Sequence, residues 1–220
     1  MKCKCCGAAM VGQPWIENLS TIPGLGYLKR VAEVSLSGNH PLLIISNTDQ
    51  AYPGLVAEWM KMQGGTARLV PVCPCHHYQD SLIPCKCTAS IMNRHWNSKS
   101  MKTAVAASVM NVHVGSVELR EIELYLKGRT DSYVLGAAER ANMIFEARKA
   151  IPKISLDDLD VPTQSLVSQG AKYLNLDGFG IEKMLDIALT IAVMSRTNRH
   201  VPNNVDIAEA FQYVHKAGPE

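Results

Sequence analysis

The sequence predicts an α/β fold in which a few parallel strands with helices are followed by a C-terminal α-helical bundle. Three observations carry this reading. Pro41-Leu42-Leu43-Ile44-Ile45-Ser46 is a short, continuous apolar run between turn residues, the pattern of a strand buried on both faces of a parallel sheet. Leu25, Leu28, Val31, Ala32 and Leu36 precede it at three- and four-residue spacing, as on one face of a helix. From about Glu118 onward helical patterns follow one another with short breaks.

Each element follows from local signals. Gly24 to Gly38 reads as a helix that Gly38-Asn39 stops. The strand to Ser46 runs into a loop, Asn47 to Gln50. A second helix has Pro53 in its first turn, extends to about Gln63 and stops at Gly64-Gly65. Ala67 to Val72 is the next strand. Beyond residue 117 the expected helices are Glu118–Lys127, Ser132–Ala150 and Val161–Leu174, with Asp160 as N-cap. A long helix follows, with Ile181, Met184, Leu185, Ala188 and Ala192 on one face. A last helix begins at Asn203 or Asn204 and turns Val205, Ala208 and Phe211 or Gln212 toward a partner helix. The expected divisions are 1–72, an α/β core; 73–117, a cysteine-rich and basic segment; and 118–220, the helical unit.

Seven cysteines fall in two clusters. Cys73-Pro74-Cys75 and Cys85-Lys86-Cys87 are separated by nine residues. Side chains two apart in an extended segment share a side, so two such pairs can bring four sulfurs to one point. Four thiolates at tetrahedral corners make a closed structural zinc site. An iron–sulfur cluster is the lesser alternative. His76 or His77 can replace one sulfur. Cys3, Cys5 and Cys6 lack a fourth ligand in sequence and are read as incidental.

The start of the chain, MKCKCCGAAM, has no apolar stretch of signal-peptide length, and no run reaches the ~20 residues that cross a bilayer. A cytoplasmic, reducing setting is therefore expected, with no membrane partner; it favours metal over disulfide for the cysteines. The net charge of +2 conceals an asymmetry: residues 1–117 carry ten Lys/Arg against five Asp/Glu, and residues 118–220 carry twelve against fifteen. No acid occurs from Ser81 to Ser116, where Lys86, Arg94, Lys99 and Lys102 stand with Trp96. Cations with an aromatic suit phosphates and base stacking, which makes a nucleic acid a candidate partner; a solvated face is the simpler alternative.

A strand, loop and helix is also the frame of phosphate-binding loops. Such a loop needs glycines and a Lys followed by Ser or Thr. The corresponding residues are Ser46, Asn47, Thr48, Asp49, Gln50, Ala51, Tyr52 and Pro53. They include no Gly and no Lys, Asp49 repels a triphosphate, and Pro53 removes a donor. ATP binding is not expected.

Four stretches resemble the magnesium-chelatase-like AAA+ ATPase family of the ComM type. Val11-Gly12-Gln13 resembles its entry motif. Glu33-Val34 with Gly38-Asn39-His40-Pro41 through Ile45 resembles the approach to its Walker A loop. Cys73-Pro74-Cys75-His76, Cys85-Lys86-Cys87-Thr88 and Ile91-Met92-Asn93-Arg94-His95-Trp96 resemble its Cys-Pro-Cys-Gly, Cys-x-Cys-Thr and Ile-x-Arg-Tyr stretch. Leu185 to Ala192 and Val205 to Tyr213 resemble its helical lid. The resemblance implies a truncated, degenerate P-loop core with a lid, and as partners an intact ring ATPase subunit or single-stranded DNA. The strands are few and leave exposed sheet edges, so a homo-oligomer is also expected. On this pattern the Walker A lysine position holds Tyr52 and the next holds Pro53. No Asp-Glu pair follows a strand, and the positions of the sensor asparagine and the two arginines fall at Pro71, Val109 and Phe179, with Lys183 one turn on. Phosphoryl transfer needs phosphate positioning, a metal and a cation at the developing charge. The expected function is thus a non-catalytic binding or scaffold protein with a four-cysteine metal knuckle. The alternative is a remodelling or helicase-type ATPase with an unconventional phosphate loop.

Overall fold

The computed structural model describes residues 18–46, 51–78, 84–115, 117, 119–127, 136–195 and 197–214. Cys3, Cys5, Cys6, the Val11-Gly12-Gln13 motif and Asn47 to Gln50 lie outside the described residues. The order is α1 (Gly26–Gly38), β1 (Leu42–Ser46), α2 (Ala51–Met62), β2 (Ala67–Pro71), α3 (Ala89–Trp96), α4 (Lys99–Ala106), β3 (Met110–Val114) and α5 (Leu119–Leu126). Then come α6 (Ala137–Lys149), α7 (Val161–Tyr173), α8 (Gly178–Met194) and α9 (Asn204–Phe211). The architecture is mixed α/β, with a small parallel sheet in the order β2-β1-β3. Leu42 stands beside Ala67 on one side and Met110 on the other. No helix among the described residues is long and apolar enough to cross a membrane.

The helix starts are chemically explicit. Thr88, Ser98, Asp160, Asp177 and Asn203 each accept a backbone N–H of the first turn, which satisfies donors that have no partner within the helix. The segment expected only as a basic stretch, 86–102, is therefore ordered as α3 and the start of α4, begun by Thr88 and Ser98.

All five residues of β1 are buried. Leu42 and Ile44 belong to the main core with Val31, Trp59, Val112, Met184, Ala188 and Ile207. Leu43 and Ile45 belong to a smaller core with Val72, Cys73, Met92 and Ala104. Alternate residues of a strand point to opposite faces, so β1 is covered on one side by α1, α2 and α8 and on the other by α3, α4 and the cysteine segment.

Two helical faces differ from expectation. In α8 every residue from Ile187 to Val193 is buried, so the helix is enclosed all round rather than along one stripe. In α9 the buried residues are Asp206, Ile207 and Ala210, while Val205 is 71% exposed. Asn203 fixes the start of α9. Asp206 then closes a capping box and accepts two hydrogen bonds from Arg199 at 2.8 Å. These two anchors rotate the helix away from the face marked by Val205 and Ala208.

Polar contacts tie α1 to α6 and α9. Arg140 Nε donates to Glu33 at 2.8 Å, and Arg30 Nε donates to Glu209 at 2.9 Å, which Tyr213 also reaches at 2.8 Å. Burial first, and Glu209 second, raise the pKa of Tyr213, so its hydroxyl remains a donor.

His40 lies under α8, with Nε2 3.0 Å from Thr190 Oγ1 and Nδ1 3.6 Å from Asp186, whose other oxygen accepts from Arg148. Burial lowers the His40 pKa to about 4; Asp186 opposes this and Arg148 reinforces it. The ordinary value is 6.5. Between these pH values the unfolded chain takes up a proton that the folded chain refuses, so stability falls as pH drops from about 6.5 toward 4. The shift is worth about 3 kcal/mol. We expect the urea midpoint of the wild type to decline more steeply across this window than that of His40→Gln. Gly38 is the second probe. A Cβ there would press on the His40 ring and Thr190, so Gly38→Ala is expected to lower stability by about 1–3 kcal/mol in thermal unfolding.

Candidate metal centre

The cysteine pairs are placed by the end of β2 and the start of α3. Past Pro71 the Val72 N–H donates to Ser46 O at 3.0 Å, which carries the chain along β1 to Cys73. The backbone then turns: the His76 N–H donates to Cys73 O at 3.1 Å, and His76 has φ +63°. Cys85 and Cys87 immediately precede Thr88, the N-cap of α3. The far end of α3 returns to the strand. Trp96 Nε1 donates to Val72 O at 2.9 Å, and His95 Nε2 contacts Pro71 O at 3.1 Å. A carbonyl oxygen only accepts, so Nε2 of His95 carries the proton.

This clamp brings together four of the predicted site residues. The Sγ atoms of Cys73, Cys75, Cys85 and Cys87 all lie within 4.8 Å of one another. Cys73 is 3.1 Å from Cys75 and 3.8 Å from Cys85, and Cys75 is 3.4 Å from Cys85. Zinc–sulfur bonds of ~2.3 Å place tetrahedral sulfurs ~3.8 Å apart, so modest adjustment admits one ion. Cys73 is buried and the other three are half-buried. His76 and His77 are not part of this group, so the structure gives the four-sulfur set.

Backbone N–H groups add to this environment. The Cys87 N–H lies 3.4 Å from Cys85 Sγ, and the backbone N–H groups of Cys75 and His77 act to lower the pKa values of Cys73 and Cys87 and of Cys75. Such donors stabilise thiolates and orient them as ligands. The thiols do not ionise alike. Burial raises the pKa of Cys73. At Cys75 burial raises the pKa, but hydrogen bonds from Cys73, the His77 backbone, Cys85 and Cys87 outweigh it and bring the value to about 6. At Cys85 the Cys87 backbone N–H lowers the pKa, but burial and donation to Cys75 outweigh it and raise the value. Donation to Cys75 and burial raise Cys87 as well. One thiolate thus forms readily and opposes the next. A bound cation removes that opposition, so four cysteines in this arrangement can hold a metal ion.

The basic residues lie on the layer that the knuckle anchors. Arg94, Lys99 and Lys102 are exposed on α3 and α4, and Lys86 is exposed between the half-buried Cys85 and Cys87. Trp96, expected as a stacking surface, is half-buried against the small core with its indole N–H engaged. The sequence shows it only as an aromatic in a basic stretch; the clamp needs the Val72 carbonyl, which only the fold brings near. Of the residues compared with a phosphate loop, Ser46 is buried, Tyr52 is half-buried against the main core, and Pro53 is buried. Val109 packs on the main core, and Phe179 is 63% exposed with Lys183 Nζ 4.4 Å from its ring centre.

Cys75→Ser is expected to abolish stoichiometric metal binding, read by elemental analysis after dialysis. Because three thiols must lose protons when an ion binds, zinc added to apoprotein near pH 7 should release protons in a weakly buffered titration. His76 tests the turn. His76→Gly suits the positive φ and is expected to keep the metal, whereas β-branched His76→Val strains it and lowers occupancy. No family model and no curated protein matches the chain.

Proposed function

We propose that this chain is a non-catalytic binding or scaffold protein whose cysteine cluster holds one structural zinc ion. The observation that carries the reading is the convergence of four Sγ atoms within 4.8 Å. A single tetrahedral ion matches that compact set better than a cluster in which several irons separate the ligands. The ion ties the end of β2 to the start of α3, and so keeps the cation-bearing layer of α3 and α4 on the sheet.

The absence of catalysis is supported by the residues at the phosphate position. Tyr52 and Pro53 pack into the protein where a phosphate loop presents Lys and Ser or Thr. The resemblance to magnesium-chelatase-like AAA+ proteins of the ComM type supports a shortened AAA+ core with a lid. On that reading the partner is an intact ring subunit, a second copy or single-stranded DNA, met by Lys86, Arg94, Lys99 and Lys102 in a cytoplasmic setting.

Elemental analysis of purified protein tests the metal; about one zinc per chain is expected. Chelation should red-shift tryptophan emission, and Trp96→Phe should remove most of that shift, because Trp96 bridges α3 to Val72. A fluorescent ATP analogue should show no saturable binding at micromolar concentration. Metal-free protein with unchanged Trp96 emission refutes the knuckle, and saturable nucleotide binding refutes the non-catalytic reading.

A further inference from the structure

The outer edge of β2 has a hydrogen-bonding pattern that fits one more strand. Leu42 N–H donates to Thr66 O at 2.9 Å and Val72 N–H donates to Ser46 O at 3.0 Å. In a parallel ladder this alternation turns residues 66, 68, 70 and 72 toward β1 and residues 67, 69 and 71 outward. Pro71 has no N–H, and its carbonyl meets His95 Nε2 at 3.1 Å, so that end is closed. The remaining outward groups are the N–H and C=O of Ala67 and Leu69. Among the described residues none of the four has a hydrogen-bond partner. They line a groove completed by Lys61, Gly65, Arg68 and Ser100. Leu69 is 41% exposed at this edge, where most sheets place a charge, a proline or a covering loop.

The side chains specify what adds there. Ala67 and Leu69 point to one face and Arg68 to the other. In the antiparallel register that uses all four free groups, the incoming residue between the two bonded pairs stands opposite Arg68, at the close spacing of a non-bonded pair. A second copy in this register sets Arg68 against Arg68, and like charges directly opposite are destabilising. The surrounding charges are also cationic. Lys61 is held by Glu58 at 2.7 Å, Lys99 and Lys102 stand on α4, and neither β2 nor α4 carries an acid. We propose that the β2 edge binds an extended segment of a partner protein with the pattern apolar–acidic–apolar, added as a fourth strand with the acid paired to Arg68. This site goes beyond the metal-knuckle reading and does not rest on nucleotide or DNA binding.

The test uses the purified full chain and a fluorescein-labelled peptide, Ser-Thr-Val-Glu-Val-Thr-Ser, with a matched peptide carrying Lys in place of Glu. Anisotropy at physiological ionic strength should show saturable binding of the Glu peptide and about fivefold weaker binding of the Lys peptide. Arg68→Glu should reverse that preference. Leu69→Pro removes an outward N–H without touching the ladder to β1, and should abolish binding of both peptides while circular dichroism is retained. If Leu69→Pro does not fold, the charge reversal at Arg68 still decides. Equal binding of the two peptides, or no reversal in Arg68→Glu, overturns the proposal. A wild-type dimer that Leu69→Pro dissociates overturns it in favour of a second copy. Displacement of the peptide by an oligo-dT at the same ionic strength overturns it in favour of a nucleic acid. Zinc content measured on the same preparations reports the knuckle separately.

Discussion

Burial of Leu42–Ser46 on both faces and hydrogen bonding on both edges govern the rest of the molecule. A strand with no polar side to offer water must lie between two layers. Leu42 and Ile44 draw α1, α2 and α8 to one side, while Leu43 and Ile45 draw α3, α4 and the cysteine segment to the other. Its edges are filled by strands from distant parts of the chain, Ala67–Pro71 and Met110–Val114. The enclosure of α8 follows from the same demand, because this helix lies between the sheet layer and the outer helices and meets apolar neighbours on every side.

The two layers are not equally self-sufficient. The main core draws on α1, α2, β3 and the helices from α6 to α9. Among the described residues the second core has Leu43, Ile45, Val72, Cys73, Met92 and Ala104 buried. A cluster of that size contributes little against the entropy of ordering α3, α4 and the intervening loop. The four sulfurs around Cys73 can hold a metal ion, the kind of staple that small cores require. The indole of Trp96 and the ring of His95 add specific contacts, fixing the helix to carbonyls that the strand leaves open.

Much of this was legible in the sequence. The strand at Leu42–Ser46 announces itself by an unbroken apolar run, and the paired Cys-x-Cys spacing marks the four sulfurs that converge. Gly38-Asn39 marks the end of α1, where Asn39 adopts a left-handed backbone with φ 54°. Other features were less visible. The capping signals of Thr88 and Ser98 were present, but the polar residues between them masked two short helices. The rotation of α9 depends on Arg199 reaching Asp206, a tertiary contact that periodicity cannot register. The role of Trp96 depends likewise on a carbonyl twenty-four residues away.

The position of α8 has a consequence for biosynthesis. The helix that closes the main core spans Gly178–Met194, whereas the strand it covers was complete at Ser46. A nascent chain therefore exposes Leu42, Ile44 and Val112 to solvent until more than sixty further residues have emerged after β3. Long-range closure of this kind folds slowly and leaves apolar surface open to wrong partners in the interval. A central strand buried on two faces is thus sealed from the far end of the polypeptide, and a chain ending before Gly178 lacks the helix that covers it.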